Sequence, residues 1–161
     1  MRDFSKVSPS LWQSKRFTGL PSDDARYAYL YLLTCEHQTS AGCCRLPDAY
    51  AAADLRWPVE RYQKARSELV DAGLIRWDDD ASVVMITRWF KFSPPMNEKH
   101  WKGIRHILER LPSQSILAEA IEELEASMTQ KPIAGVDREA DPQTSSKVAG
   151  KSWAGWRPRP V

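Results

Sequence analysis

A helix, a Gly-Leu-Ile stop and a β-hairpin follow one another directly in this chain. They predict an α+β, mainly α fold: a winged helix-turn-helix with a C-terminal helical extension and a disordered tail. Three observations carry the prediction. The segment PVERYQKARSELVDAGLIRWDDDASVVMITRW supplies a helix over residues 58–72, ended by Gly73, and strands over 74–78 and 83–89 around the turn Asp79-Asp80-Ala81-Ser82. A shorter helix over about 47–55 precedes it across the turn Arg56-Trp57-Pro58. After Thr129 periodicity gives way to Pro, Ser, Gly and small residues, the composition of a segment that buries too little to order itself. The expected organisation is a winged-helix domain with an N-terminal arm at 1–92, a helical extension at 93–128 and a basic tail at 129–161.

Composition narrows the classes of function. The 161 residues suit one domain of about 100–150 residues plus an appendage. A net charge of +2 means that any nucleic-acid surface must come from local clustering of cations. No apolar run approaches the roughly 18 residues of a membrane span, and MRDFSKVSPS lacks a signal-peptide pattern. Three cysteines, two of them adjacent, make a poor disulfide framework and suit a reducing cytoplasm.

Residues 1–20 interleave Arg2, Lys6, Lys15 and Arg16 with Phe4, Leu11, Trp12 and Phe17. They read as an arm packed on the domain, or a basic arm on a phosphate backbone or a dimer partner, with a short helical turn starting at Pro9 or Ser10. Ser22 caps the next helix and Asp23-Asp24 favour the positive end of its dipole. In that helix Ala25, Ala28, Tyr29 and Leu32 share a face, and Tyr27 and Tyr31 fall largely on the other, a candidate self-association surface. After the polar connection 37–42, Cys43-Cys44-Arg45-Leu46 is a short strand. Pro47 suits a first helical position and Ala49–Ala53 is a strong helix former.

In the helix over 58–72, Val59, Tyr62, Ala65, Leu69 and Val70 form the inward stripe. Arg61, Lys64, Ser67 and Glu68 face outward with Gln63 and Arg66 at the margins. Arg matches guanine bidentately, Gln matches adenine, and Lys neutralises phosphate. Arg61, Gln63, Lys64 and Ser67 are therefore the candidate reading surface for double-stranded DNA; a solvated charged face is the alternative. The hairpin strands show apolar Leu74, Ile75 and Trp77, then Val84, Ile86 and Trp89. Their turn is acidic, Asp78-Asp79-Asp80, and repels phosphate, which leaves Arg76 and Arg88 further down the strands as the cations in reach. Asn97 caps a helix over 98–111 with Trp101, Ile104, Leu108 and Leu111 on one side and Lys99, Lys102, His106 and Arg110 opposite. Residues 88–110 hold six Lys/Arg against Glu98 and Glu109. Lys91, Lys99 and Lys102 join the candidate DNA surface, and the neighbouring aromatics suit single-stranded DNA as well. A last helix over 114–128 pairs an apolar face with an acidic one and is expected to pack on the basic helix before it or on a partner. In the tail, Trp153 and Trp156 stand among Lys147, Lys151, Arg157 and Arg159, a pattern for docking a protein partner or a single strand.

Enzyme chemistry is not expected. The chain has no Walker loop, G-x-G-x-x-G or HExxH. Cys35-x-His37 with adjacent Cys43-Cys44 matches no common zinc spacing, and neither a metal nor a cofactor is expected. His100 and His106 have no local acid–base partner pattern.

The run SPSLWQSKRFTGLPSDDARYAYLYLLT, the two helices around 56–58, ELVDAGLI with its hairpin, and the exit RWFKFSPPMN resemble the winged-helix domain of phage and prophage replication-initiation proteins, and more loosely the DnaD-type replisome organisers. The likeness spans about residues 5–115; SxxLWxSxxF and W-F-K-F-x-x-P-x-N are its most specific parts. The resemblance implies duplex or origin binding, homo-oligomerisation, recruitment of a helicase or helicase loader, and no catalytic residues. Two other readings stay open: a transcriptional regulator, and a winged helix that binds protein alone.

Overall fold

Helix starts coincide with capping residues and prolines. In the computed structural model, which describes residues 5–129, a 3-10 turn at Pro9–Gln13 and α1 (Lys15–Thr18) lead to α2 (Asp23–Thr34), β1 (Cys43–Arg45), α3 (Asp48–Leu55) and α4 (Val59–Asp71). Then come β2 (Ile75–Asp78), β3 (Val83–Ile86), α5 (Trp89–Phe92), α6 (Glu98–Leu108) and α7 (Gln114–Thr129). The fold is α+β and mainly helical, with one small antiparallel sheet of order β1-β3-β2 among the described residues. The tail with Trp153 and Trp156 lies outside those residues.

Ser22 accepts the Ala25 N–H at 3.1 Å and donates to Glu68, so the cap of α2 also ties that helix to α4. Such a cap contributes about 1 kcal/mol. Asn97 caps α6 through the His100 N–H at 2.8 Å. Pro47 and Pro58 stand at the N-caps of α3 and α4, one position earlier than a first helical residue.

The end of α4 is built by Gly73. Its φ of 64° is left-handed, and it lets Gly73 N–H donate to Val70 O at 2.9 Å and Leu74 N–H to Leu69 O at 3.0 Å. This is a Schellman stop, closed by the buried pair Leu69 and Leu74. The freed Gly73 carbonyl accepts from Arg16 Nη1 at 2.8 Å and Thr87 Oγ1 at 2.7 Å. One backbone oxygen thus joins the N-terminal arm, α4 and the exit of the hairpin.

The second hairpin strand is shorter than the sequence predicts. β3 stops at Ile86, Arg88 takes φ 60°, and Trp89–Phe92 is a helical turn. Thr87 still pairs with Leu74, its N–H donating to Leu74 O at 3.1 Å, and its hydroxyl bonds the Gly73 and Leu74 carbonyls. The left-handed Arg88 then turns the chain out of the ladder. The Trp89 ring folds back over Gly42, and its Nε1 donates to Ser40 O at 2.9 Å. All four residues of β3 are buried. Strand alternation predicts one wet face; α7 packs on β2 and β3 and removes it. The core joins Phe17, Leu32, Leu46, Tyr62, Leu69, Ile75 and Met85 with Ile104, Leu108 and Leu124.

The loop after α2 is ordered by side chains. Buried Gln38 donates to Leu32 O at 3.0 Å and accepts from Thr39 N–H, and Thr39 Oγ1 donates to Cys43 O at 2.7 Å. The polar side chains that this turn buries are thus satisfied, which holds β1 in register against β3.

Candidate nucleic-acid interface

Burial of Tyr62, Ala65 and Leu69, at helical spacing, sets the rotation of α4. The same rotation leaves Arg61, Gln63, Lys64 and Ser67 exposed, so the four predicted reading residues do share the outer side of one helix.

Two of them are already engaged within the chain. Arg61 donates from Nε and Nη2 to the Asp24 carboxylate at 2.8 and 2.6 Å, and its guanidinium stacks 4.3 Å from the Trp57 ring centroid. The Arg61 hydrogen bond holds the Asp24 carboxyl below the usual aspartate range. Gln63 Nε2 donates to Asp48 Oδ2 at 3.0 Å. Arg66, further along the helix, is 13% exposed and lies in an ion pair with Asp48, with Nε 3.0 Å from Oδ1 and Nη2 donating to Oδ2 at 3.1 Å. Its guanidinium stacks 4.1 Å from the Trp77 centroid. Asp48 opens α3, so its charge also favours that helix's dipole. Arg61 and Arg66 therefore work first as struts that set α4 against α2, α3 and the hairpin.

The acidic turn lies at the surface, with Asp79 and Asp80 exposed and Asp78 half-buried. Asp79 Oδ1 accepts from Trp77 Nε1 at 2.9 Å and sits 3.9 Å from Arg66 Nη2. Asp78 accepts the Ala81 N–H at 3.1 Å, and the Ser113 hydroxyl, followed by that N–H, holds its carboxyl below the usual range.

The cations after the hairpin form a second, looser group. Arg76 is drawn to Glu119 of α7 at 3.0 Å. Arg88 and Lys91 are exposed beside α5, with Lys91 Nζ 5.8 Å from the Phe92 centroid. On α6, Lys99 is exposed, Lys102 pairs with Glu98 at 2.7 Å, and Arg105 reaches Glu109 at 3.1 Å and Glu125 at 3.7 Å. α7 packs on α6, one of the two packings the sequence predicts, but among the described residues Glu125 alone of its acids is paired there, while Glu119 meets Arg76 of the hairpin. Glu123 of α7 accepts the Arg88 and Phe90 backbone N–H groups at 3.0 and 3.1 Å, one on each oxygen.

Tyr27 and Tyr31 part company. Tyr27 is exposed and its ring lies 5.7 Å from Trp57. Tyr31 donates its hydroxyl to Asp54 Oδ2 at 2.6 Å, and His37 Nε2 stands 3.3 Å from the same oxygen. Cys43 and Cys44 are buried in the sheet, and burial pushes the Cys43 thiol up, away from ligand chemistry.

Sequence reasoning missed Asp24, Asp48 and Trp57. They meet α4 across 37, 18 and 4 positions, and only the last separation leaves a local signal. Comparison with protein-family models, curated protein sequences and solved structures returned no match. No helix among the described residues is long and apolar enough to cross a membrane.

Proposed function

We propose that this chain is a winged-helix DNA-binding protein of the phage replication-initiation type, acting in the bacterial host cytoplasm. The observation that carries the reading is the order α2-β1-α3-α4-β2-β3 with sheet order β1-β3-β2. It supplies two helices around a short turn and a hairpin directly after the second, the element set of a winged helix. In this reading α4 enters the major groove. Lys64 meets phosphate, Gln63 reads an adenine edge once it exchanges Asp48 for the base, and Ser67 serves either. Arg88, Lys91 and Lys99 add phosphate contacts, and Lys102 contributes where Glu98 releases it. A helicase or its loader would be recruited by the remaining surface, and the exposed Tyr27 is the candidate for self-association.

The test is fluorescence anisotropy with labelled duplex and single strand over a salt series. Duplex binding that weakens with salt, and falls at least tenfold on Gln63→Ala with Lys64→Ala, is expected. No binding at low salt to random or origin duplex overturns the reading. A protein-only winged helix is the second reading, favoured by the capture of Arg61, Arg66 and Arg76 by Asp24, Asp48 and Glu119. It predicts that the same double substitution changes no DNA binding.

A further inference from the structure

A partly open cavity of about 120 Å³ lies where the N-terminal arm crosses α2, the start and end of the hairpin, and α5. Its apolar lining includes Tyr29, Leu33, Leu74, Ile86 and Trp89. No residue of α4 lines it. Apolar cavities of about 150 Å³ hold one benzene, so this one accepts a single side-chain-sized apolar group.

The charged lining residues have one sign. Lys6, Arg16 and Arg88 line the cavity, and no Asp, Glu, Asn or Gln does so among the described residues. Two of these cations are held in place by the fold. Arg16 is pinned by its bond to Gly73 O. Arg88 has a left-handed backbone, and Glu123 clamps it through its backbone N–H. A non-glycine residue at positive φ is strained and persists where the surroundings over-determine it. Val7 and Phe92, 36% and 64% exposed, also line the cavity and extend its apolar surface toward solvent.

We infer that this cavity is a docking site for an acidic segment of a partner protein. The segment seats one aliphatic or aromatic side chain among Leu33, Leu74 and Ile86 and sets carboxylates against Lys6, Arg16 and Arg88. Charge complementarity chooses an acidic partner over a basic one. The lining sets aliphatic Leu33, Leu74 and Ile86 beside the hydroxyls of Ser8, Ser10, Ser14 and Ser93; the aliphatic part suits an apolar side chain rather than a base edge, which needs hydrogen-bond partners. The Thr87 hydroxyl, which also lines the site, is spent on two backbone carbonyls. Apart from Arg88, the site shares nothing with the proposed duplex surface, so its failure leaves that reading standing.

The experiment uses the full chain on arrays of octapeptides with one Leu, Phe or Trp among Asp, Glu, Ser and Gly. Matched arrays carry Lys for the acids or Ser for the anchor. Retention at least tenfold stronger on the acidic, anchored peptides is expected. Lys6→Glu with Arg88→Asn should lower it at least tenfold at unchanged melting temperature; Asn tolerates a left-handed backbone. Leu33→Trp, which fills the cavity and leaves its charge, should do the same. Equal retention on anchor-free or Lys peptides, or retention untouched by Lys6→Glu with Arg88→Asn, overturns the proposal. So does binding of labelled oligothymidylate that this variant abolishes while no peptide is retained; that outcome assigns the cavity to nucleic acid.

Discussion

Replacing Asp24 with asparagine removes the negative charge beside Arg61 and keeps the side chain's shape. In the native chain the guanidinium spends Nε and Nη2 on that carboxylate at 2.8 and 2.6 Å, so it offers little net charge to a phosphate. The substituted amide retains one acceptor oxygen and carries no charge. If α4 lies against duplex DNA, the freed cation adds about one phosphate neutralisation. The slope of log K against log salt then steepens by about 0.9. Over a fourfold rise in salt, from about 50 to about 200 mM, that is an extra loss of about 3.5-fold, and at low salt the variant binds more tightly than the native chain. The assay is anisotropy with a labelled duplex at five or six salt concentrations. Glu122→Gln, which removes one exposed acid of α7, controls for net charge alone. Arg61→Ala should alter the native slope little and should return the Asp24→Asn slope to the native one. A slope unchanged by Asp24→Asn, or matched by Glu122→Gln, refutes the claim that this face of α4 meets phosphate.

Other predictions concern the scaffold. Gly42→Ala should cost roughly 2–4 kcal/mol in urea unfolding, because φ is +70° and the new Cβ would stand 2.3 Å from Trp89 Cγ; a loss under about 1 kcal/mol would show that Trp89 moves freely. Glu123→Gln should destabilise by about 1 kcal/mol: both carboxylate oxygens accept backbone N–H groups, and an amide must turn its NH2 toward one of them. A more stable variant would mean that the buried charge outweighs those bonds. The pH profile of stability should carry two opposite signs. Asp24 and Asp78 are held below the ordinary value of 3.8 by Arg61 and by Ser113, so their stabilisation is present above that value and lost as pH falls through the lower folded ones. Burial raises Glu123 above 4.5, so its contribution is present below 4.5 and lost as pH rises through the raised value. Thermal melts from about pH 2.5 to 7 check both: Asp24→Asn with Asp78→Asn should flatten the acid limb, and Glu123→Gln the limb above 4.5.

Local chemistry was legible in the sequence, and packing at long range was not. Ser22, Asn97 and Gly73 announce helix ends because a cap or a left-handed stop acts within a few residues. The turn at 79–82 follows from its polar run between two apolar strands. The 83–89 strand was overread because Thr87, Arg88 and Trp89 continue a β-prone composition. What ends β3 is the left-handed turn at Arg88, whose backbone N–H is held by Glu123 from 35 residues away. The same limit applies at the site. The period of α4 places Arg61, Gln63, Lys64 and Ser67 on one face, yet nothing local pairs Arg61 with Asp24 or Arg66 with Asp48. Those partners become neighbours only when α2 and α3 pack on α4.

That pairing changes what the near-neutral charge means. The cations of α4 are present, but Arg61 and Arg66 are stacked on Trp57 and Trp77 and tied to Asp24 and Asp48. A partner that meets this face finds a stiff surface on which Lys64, Gln63 and Ser67 are the adjustable groups. If this face meets DNA, counterion release from one lysine there and a few on α5 and α6 would give a shallow salt slope and weak binding to random duplex. Under the DNA-binding reading, affinity then has to come from base edges matched to Gln63 and its neighbours, each good pair worth about 1–3 kcal/mol. A chain built this way should discriminate between sequences strongly for its modest affinity. Asp24→Asn, by restoring a phosphate contact, should raise binding to random duplex more than binding to the preferred site.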